Sequence, residues 1–341
     1  MKIMPVFNMK GGVAKTTSSV MLAEALAQFC AYRVLIVDAD PQLNATRMLL
    51  TQENIEDAIS GPENHAKTVA RYLRKCVNES AAPSPLDFIL LNVGTIHGEG
   101  QVDLLAGTPR TREVADMMLL ASANPGRNLQ NVLKKAALGL RKLNEAGPYD
   151  LIIVDCPPSL TAPVRAALSA ADLLIVPTTA DDSAHAGIGT LVWSLKELAE
   201  VKAELIKNRR VLVTRYANPL EKNLLDLKRT EATFDSCVTE KSHVGDARLF
   251  SPETPSTLKG KYGTKTEGEL KKIVSELTVV LGLARPVAIA AAPKPKEEIG
   301  VKGNQNSGKL PFGAATNSGR ASRAGKKTGS GDLRSLPKRD S

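Results

Sequence analysis

The sequence predicts a doubly wound α/β domain with a mostly parallel sheet, and three observations carry this prediction. Short apolar runs alternate with longer helix-like segments along the chain. The runs are uniformly apolar and rich in β-branched residues, which is typical of strands buried on both faces between layers of helices. A glycine turn at Gly11 and Gly12 joins the first run to the first long helical segment. The alternation favours a single α/β domain with a parallel sheet.

Each element follows from a local pattern. Strands are expected at 2–8, 33–38, 149–155, 173–176 and 210–214, with further candidates at 87–93 and 101–106. Helices are expected at 15–30, 67–78 and 128–145, and residues 81–85 are expected to form a loop. A closing helix is expected at 271–283 because Ile273, Leu277, Val280 and Leu281 recur on one helical face.

Periodicity stops at residue 284, so we expect an ordered domain at 1–283 and a disordered tail at 284–341. The tail is rich in Gly, Pro and Ser, and it cannot bury enough apolar surface to offset the entropy of ordering. Of the formal net charge of +9 on the 341 residues, residues 285–341 carry +8. Such a tail can add salt-sensitive contacts to phosphates. A solubilising extension and contact with RNA or an acidic protein are the alternatives.

The composition also bears on the cellular compartment. The four cysteines are far apart and form no CxxC pair, which suits a reduced cytosol rather than a disulfide framework. No apolar stretch reaches about 18 residues and the first residues lack a signal-peptide pattern, so neither secretion nor membrane spanning is expected. Aromatic residues make up 4% of the chain, which disfavours a surface that stacks on bases. The four histidines are unclustered and predict no metal site.

The strongest signal for function is the segment 8–17, NMKGGVAKTT, between the first strand and the first helix. Its glycines let successive backbone N–H groups point at phosphate oxygens, and the helix N-terminus adds its positive dipole end. Lys15 supplies a charge for the β- and γ-phosphates, and the Thr16 hydroxyl supplies a ligand for Mg²⁺. The ordinary phosphate-loop pattern is not met, because Met9 and Ala14 occupy its two glycine positions. The residues expected to bind the nucleotide are Gly11, Gly12, Val13, Ala14, Lys15, Thr16 and Thr17.

This loop resembles the deviant Walker A motif, KGGVGKTT, of the ParA/MinD family of P-loop ATPases. The resemblance extends over about residues 1–283 and is thin between 51 and 146. It implies that Lys10 is the family's signature lysine, which reaches across an ATP-bound dimer to the nucleotide of the partner. Ala14 stands where the family has glycine, and alanine is strained there if the backbone needs a positive φ.

Two further segments resemble family motifs in the expected order. Residues 37–42, VDADPQ, resemble the family's switch, which implies that Asp40 positions the attacking water and that Asp38 supports the Mg²⁺ site. Residues 152–159, IIVDCPPS, resemble the Walker B segment, whose carboxylate, here Asp155, holds Mg²⁺ through water. Downstream, the stretch from Pro177 to Asp181 resembles a loop near the nucleotide in which the family usually has Glu at the position of Asp181.

The resemblance implies an enzyme that hydrolyses ATP to ADP and phosphate slowly and is stimulated by a partner. ATP and Mg²⁺ would close a homodimer through Lys10, and the dimer would bind DNA non-specifically, in the cytoplasm and on the nucleoid. With a centromere-binding adaptor, such a switch partitions a plasmid or chromosome. Because the loop begins at residue 8, no N-terminal helix-turn-helix is expected.

Other functions for the same ATPase residues are kept as alternatives. The first alternative is a relative that positions a protein cargo over the nucleoid through a cargo adaptor. A MinD-like membrane ATPase is disfavoured because the Gly/Ser/Lys-rich end lacks an apolar helical face. A metabolic P-loop enzyme, such as an iron–sulfur reductase relative, would need a cysteine pair that the sequence does not indicate.

A DNA surface on the domain itself would require basic residues that cluster in space. The candidates are Arg215, Lys222, Lys228, Arg229, Lys241, Arg248, Lys259 and Lys261.

Overall fold

One parallel sheet organises the part of the chain that the structure describes. The computed structural model describes residues 1–283 except 61–66, 80, 82, 97, 121–128, 147–148, 217–221, 240–249 and 252, and the described residues belong to one compact unit, Met1–Ala291. The predicted tail, Lys241 and Arg248 lie outside the described residues.

Within the described residues the sheet has six strands, all parallel, in the order β3-β2-β4-β1-β5-β6. The strands are β1 (Lys2–Val6), β2 (Arg33–Asp38), β3 (Gln101–Leu105), β4 (Leu151–Asp155), β5 (Leu174–Thr178) and β6 (Arg209–Val213). The predicted fold class is therefore confirmed. The direction of winding reverses at β1, between β4 and β5, and open α/β sheets bind ligands at the carboxyl ends of the strands at such a point.

Helices cover both faces of this sheet. They are α1 (Lys15–Cys30), α2 (Asn44–Leu49), α3 (Gln52–Ser60), α4 (Val69–Asn78), α5 (Thr111–Leu120), α6 (Leu129–Ala146), α7 (Ala162–Ala170), α8 (Ala184–Lys196), α9 (Ala203–Lys207), α10 (Lys222–Thr230), α11 (Leu258–Tyr262) and α12 (Thr264–Leu281).

Side chains of the strands alternate between two cores, as the two-residue period of a strand requires. On one face Ile3 and Leu35 pack with residues of α4 to α8 and α10. On the other face Met4 and Ile36 pack with residues of α1, α2, α11 and α12. Both cores are buried, which is the reason that the strand sequences are uniformly apolar.

Two of the predicted elements differ in the structure. The candidate strand 87–93 is wrong as a regular strand, because Pro85–Phe88 forms a 3₁₀ turn and Leu90 makes only an isolated antiparallel bridge to Leu104. Ser84 caps the turn by accepting a hydrogen bond from Leu86 N at 3.3 Å. The closing helix begins at Thr264, seven residues before its predicted start.

A buried ion pair ties α1 to the C-terminal helices. Lys261 donates to Glu24 Oε1 at 2.7 Å and to Thr95 Oγ1 at 2.9 Å, and Tyr262 donates to Glu24 Oε2 at 2.6 Å. The side chains of Lys261 and Glu24 are almost completely buried. Lys261 was predicted as a DNA-contact candidate, and this was wrong because its ammonium is buried against Glu24 inside the protein.

Candidate nucleotide site

The predicted motifs meet at the carboxyl edge of the sheet. In the strand register Asp155, at the end of β4, lies opposite Val6 of β1 and Asp38 of β2. A cavity of about 480 Å³ opens beside these strand ends. It is lined by Gly11, Gly12, Val13, Ala14, Lys15, Thr16, Thr17, Asp40, Gln42, Asn44, Met48, Pro158 and Arg215. All seven residues expected to bind the nucleotide therefore line one cavity.

The loop before α1 has the backbone that a phosphate cradle needs. Gly12 and Ala14 have φ values of +74° and +55°, in the left-handed region. A Cβ added at Gly11 or Gly12 would meet no atom within 4 Å, so open space lies over this part of the loop. Ala14 is the residue immediately before α1, and its Cβ makes the conformation strained.

Side chains from the strand ends fix the outside of the loop. Asn8 donates to Pro177 O at 2.8 Å and accepts from Lys10 N at 3.0 Å. Thr214 donates to Val13 O at 3.0 Å. Contacts from β5 and from the residue after β6 thus fix the loop, and the loop residues line the cavity.

Lys15 lies at the base of the cavity and is 8% exposed. Its ammonium donates to Lys10 O at 2.9 Å. Burial lowers the pKa of Lys15, while the nearby carboxylates of Asp155 and Asp40 act in the opposite direction. The side chain is thus a desolvated cation beside the phosphate loop, where its attraction for phosphate is strongest.

Two fully buried carboxylates face each other at the strand ends. Burial raises the pKa of Asp38 to about 6. Burial also raises the pKa of Asp155 well above its ordinary value, and the nearby charge of Asp38 raises the pKa of Asp155 further. Asp38 accepts hydrogen bonds from Thr46 N at 2.9 Å and from the Thr46 hydroxyl at 2.7 Å. Asp155 Oδ1 accepts from Ser19 at 2.9 Å.

The donor set fits a magnesium ion. Asp155 Oδ2 is buried and has no hydrogen-bond partner, so an acceptor oxygen remains open at the site. Hard oxygen donors of this kind are the ligands that Mg²⁺ takes, often through its waters. A divalent cation would also relieve the repulsion between Asp38 and Asp155.

Asp40 lies between two cavities. It lines the nucleotide cavity together with Gln42 and Pro158, and all three residues also line a second cavity of about 320 Å³. Its Oδ1 accepts from Gln42 N at 2.9 Å. The carboxylate is therefore placed where it can orient a water beside a bound nucleotide.

Lys10, by contrast, turns away from the cavity. Its ammonium contacts Thr179 Oγ1 at 3.2 Å, Asp181 Oδ2 at 2.5 Å and Ser183 Oγ at 2.8 Å. These groups lie in the connection between β5 and α8, and the exposed side chains of α8 include Trp193, 65% exposed. The structure thus separates the two lysines of the loop, with Lys15 inside the cavity and Lys10 at the surface.

Arg215 is a candidate DNA contact by sequence, and it follows the strand after which the family has contacts on the adenine side of the nucleotide. The structure places it in the lining of the nucleotide cavity. Its guanidinium donates to Gly12 O at 3.2 Å, and its φ is +53°. The sequence signal was weak, since it consisted only of the position of Arg215 after the strand that holds the loop. Thr46 and Ser19, which orient Asp38 and Asp155, were missed because no local pattern marks them.

Beyond the carboxylate pair of Asp38 and Asp155, the described part of the chain has no group of three or more His, Cys, Asp or Glu residues arranged to hold a metal ion. His185 is exposed on α8, while His65, His97 and His243 lie outside the described residues. None of the described helices has the length and apolar character needed to cross a membrane.

Comparison with known proteins agrees with this geometry. The AAA_31 family, an AAA domain, matches residues 1–208. Chromosome-partitioning ATPase Soj from Thermus thermophilus is 31% identical over 209 residues, which cover 61% of this chain and 67% of that protein.

Two solved structures share the fold. A putative plasmid partition protein from Borrelia burgdorferi bound to AMPPNP has a TM-score of 0.57 and 22% identity, covering 82% of this chain and 98% of the other. Cobyrinic acid a,c-diamide synthase from Mycobacterium smegmatis, bound to ADP and magnesium, has a TM-score of 0.55 and 23% identity, covering 85% and 100%.

The parallel sheet, the left-handed glycine turn and the buried lysine define a P-loop protein of the nucleotide-binding class. The chain belongs to the ParA/MinD family of P-loop ATPases. The predicted family is therefore confirmed, and ATPase activity is a property of its members.

Proposed function

We propose that this chain is an ATP-dependent switch that closes as a homodimer, binds DNA non-specifically and partitions a plasmid or chromosome together with an adaptor protein. The observation that carries the proposal is the separation of the two lysines. Lys15 serves the nucleotide of its own chain, and Lys10 lies at the surface, where a second copy can be reached.

The residues of the site account for slow ATP hydrolysis. In this proposal Lys15 and the loop N–H groups bind the β- and γ-phosphates. Mg²⁺ would be held by Thr16 in the cavity lining and by the buried carboxylates of Asp38 and Asp155, with Asp155 acting through water. When bound, Mg²⁺ supplies positive charge that neutralises the phosphates. Asp40 orients the attacking water, and the partner's copy of Lys10 adds charge at the phosphates. Such catalysis depends on positioning, so a second protein can accelerate it by completing the arrangement.

The DNA and adaptor parts of the proposal are supported by the partition ATPases among the relatives. Binding of this type places the protein in the cytoplasm and on the nucleoid. The basic residues Lys222, Lys228, Arg229 and Lys259 are exposed and stay candidates for DNA contacts. Whether the cargo is a replicon or a protein assembly depends on the adaptor, so a cargo-positioning role uses the same ATPase cycle.

The test is binding of the full chain to sequence-unrelated duplex DNA without nucleotide, with ADP and with ATP, across a salt series. We expect binding that requires ATP and weakens steeply with salt. Lys15→Ala is the control that loses nucleotide binding, and Asp40→Ala is expected to accumulate an ATP-bound dimer with little turnover. Comparison with a chain that ends at residue 284 gives the contribution of the tail to the salt dependence of DNA binding.

Each result has a definite reading. Equal DNA binding without nucleotide, with ADP and with ATP would mean that basic residues bind DNA independently of the nucleotide, and this would contradict the switch. No binding in any state would remove DNA from the proposal. ATP turnover by Lys15→Ala at the wild-type rate would contradict the assignment of the loop.

A further inference from the structure

A strained turn carries Asp40 from the end of β2 to the start of α2. Within this turn Leu43 has a φ of +56°, in the left-handed region, although its side chain is buried. A β-carbon makes this conformation costly, and such strain persists only where the surrounding contacts fix the backbone. The contacts that fix this turn therefore also decide where the Asp40 carboxylate lies.

These contacts converge on Asp38, the last residue of β2. Its Oδ1 accepts from Asp40 N at 3.2 Å, on the chain before Leu43. Its Oδ2 accepts from Thr46 N at 2.9 Å and from the Thr46 hydroxyl at 2.7 Å, on the chain after Leu43. The carboxylate of Asp38 thus joins the two ends of the strained turn.

Asp38 also takes the place of a local cap for α2. The first N–H groups of a helix have no partner within the helix, and a polar residue directly before the helix usually accepts from one of them. Leu43 stands at this position, and its side chain makes no cap hydrogen bond. Because Thr46 N donates to Asp38 instead, the start of α2 depends on this carboxylate.

The Thr46 hydroxyl orients the Asp38 carboxylate. Thr46 is fully buried, and its hydroxyl accepts from Gly107 N at 2.9 Å while its single proton is directed at Asp38. Gly107 lies two residues after β3, and a Cβ there would stand 2.8 Å from both Cγ and Oδ2 of Asp38. The backbone after β3 therefore packs on the carboxylate, and the hydroxyl joins the two by hydrogen bonds.

We propose that Thr46 is a positioning residue for ATP hydrolysis, which holds Asp38 and, through Asp38, the turn that carries Asp40. The inference rests on the proposed function, in which Asp40 orients the attacking water. An ionised carboxylate has about four acceptor positions, and Asp40 and Thr46 occupy three of those on Asp38. Most of the hydrogen-bonding capacity of Asp38 therefore serves the turn, and one position remains for Mg²⁺ or its waters.

The test is steady-state ATP turnover by the full chain at saturating Mg²⁺, from which kcat and KM are obtained. Thr46→Val removes the hydroxyl at nearly constant volume, whereas Thr46→Ser keeps it. Thr266→Val is the matched control, because Thr266 is also fully buried, lies in α12, and has a hydroxyl without a hydrogen-bond partner among the described residues. ATP binding is measured separately by displacement of a fluorescent ATP analogue, and thermal unfolding is measured for every variant.

We expect Thr46→Val to lower kcat by about 10- to 100-fold, the usual effect of removing a residue that orients a group of a metal site. ATP binding is expected to stay at the wild-type level, because Lys15 and the phosphate loop are unchanged. Thr46→Ser is expected to recover most of the rate, and Thr266→Val to keep all of it. Because a methyl group against the Asp38 carboxylate can hinder folding, Thr46→Ala, which leaves this space empty, is a second arm with the same expected loss.

A wild-type kcat in Thr46→Val or Thr46→Ala would overturn the inference and leave the proposed function intact. A rate for Thr46→Ser as low as that of Thr46→Val would also overturn it, since the hydroxyl would then not be the group that matters. An equal loss of kcat, ATP binding and folded protein would overturn it as well, because Thr46 would then be a structural residue only. Absence of ATP turnover in the wild type would overturn the proposed function and this inference together.

Discussion

The ammonium of Lys10 lies 2.5 Å from Oδ2 of Asp181 in the same chain, although 171 positions separate the two residues in sequence. This contact and those from the Thr179 and Ser183 hydroxyls hold the lysine away from the cavity. The hydrogen bond from Lys10 keeps the pKa of Asp181 well below its usual range. If Lys10 serves the nucleotide of a second copy, it must first leave this pair.

Asp181→Asn is therefore expected to strengthen ATP-dependent dimerisation. Lys10 and Asp181 are 30% and 47% exposed, and ion pairs at such positions contribute about 0.2–1 kcal/mol. Each homodimer has two such pairs, so the dimer dissociation constant is expected to fall by about two- to thirtyfold. Sedimentation velocity with ATP over a concentration series measures it. Asp182→Asn, at the exposed neighbouring carboxylate, is the control, and a weakened Asp181→Asn dimer would contradict the prediction.

Ala14→Gly is expected to relieve backbone strain in the phosphate loop. Ala14 has a φ of +55°, and Ala31, at the end of α1, has a φ of +53°. Glycine at either position should stabilise the protein by about 1 kcal/mol, because the left-handed region costs alanine roughly that amount. Thermal unfolding measures the gain. Only Ala14→Gly should also change ATP affinity, because Ala31 lies at the other end of α1. An equal change in ATP affinity for Ala31→Gly would show that strain in the phosphate loop is not what affects nucleotide binding.

Asp155→Asn is expected to stabilise the nucleotide-free protein at pH 7.5 more than at pH 4.5. An unfolded aspartate loses its proton near pH 4, whereas burial raises the pKa of Asp38 to about 6 and that of Asp155 well above its ordinary value. The folded state therefore binds more protons in this window, and the free energy of unfolding falls as pH rises from about 4 through the folded pKa values. Removing one of the two charges should reverse part of that decrease.

Thermal unfolding at both pH values, without nucleotide and with EDTA, measures this difference. A gain of 1 kcal/mol corresponds to about 2–4 °C in a domain of this size. Asp182→Asn should leave the melting temperature unchanged at either pH. If Asp155→Asn changes the melting temperature equally at pH 4.5 and pH 7.5, the charge of Asp155 does not destabilise the nucleotide-free protein, and the prediction is wrong.

Lys261→Met is expected to destabilise the domain by about 3–5 kcal/mol, because Glu24 would be left as a buried charge without its partner. The double variant Glu24→Met with Lys261→Met should recover most of this stability. Urea unfolding measures both. Lys259→Ala, at an exposed position of the same helix α11, is expected to stay near wild type. A double variant as unstable as the single one would mean that packing, not charge, decides the stability here.

The elements around the loop could be predicted because their signals are local. The helix Lys15–Cys30 and the strand Arg33–Asp38 have the bounds expected from the sequence. The stretch between β2 and β4 was less predictable. Its run at 87–93 is apolar without being a strand, since Pro85 begins a 3₁₀ turn and Leu90 lies against the sheet edge by a single bridge.

In the candidate site, too, the residues of local motifs could be predicted, whereas the contacts between distant segments could not. The motif residues of the loop, the switch and the Walker B strand end up beside one cavity because parallel strands bring their carboxyl ends together. Their roles stay predictions. The contacts of Lys10 with Asp181 and of Thr46 with Gly107 join distant segments, and no pattern within either segment encodes them.

The exposure of Trp193 has a practical consequence. It is the only tryptophan of the chain, and it projects from α8, the helix that begins at Ala184 beside the Ser183 hydroxyl that holds Lys10. Fluorescence excited at wavelengths where tyrosine does not absorb therefore comes from Trp193 alone. A partner that covers this face of α8 is expected to shift the Trp193 emission to shorter wavelength. The unlabelled protein therefore contains an intrinsic fluorescence probe for dimer formation at this surface.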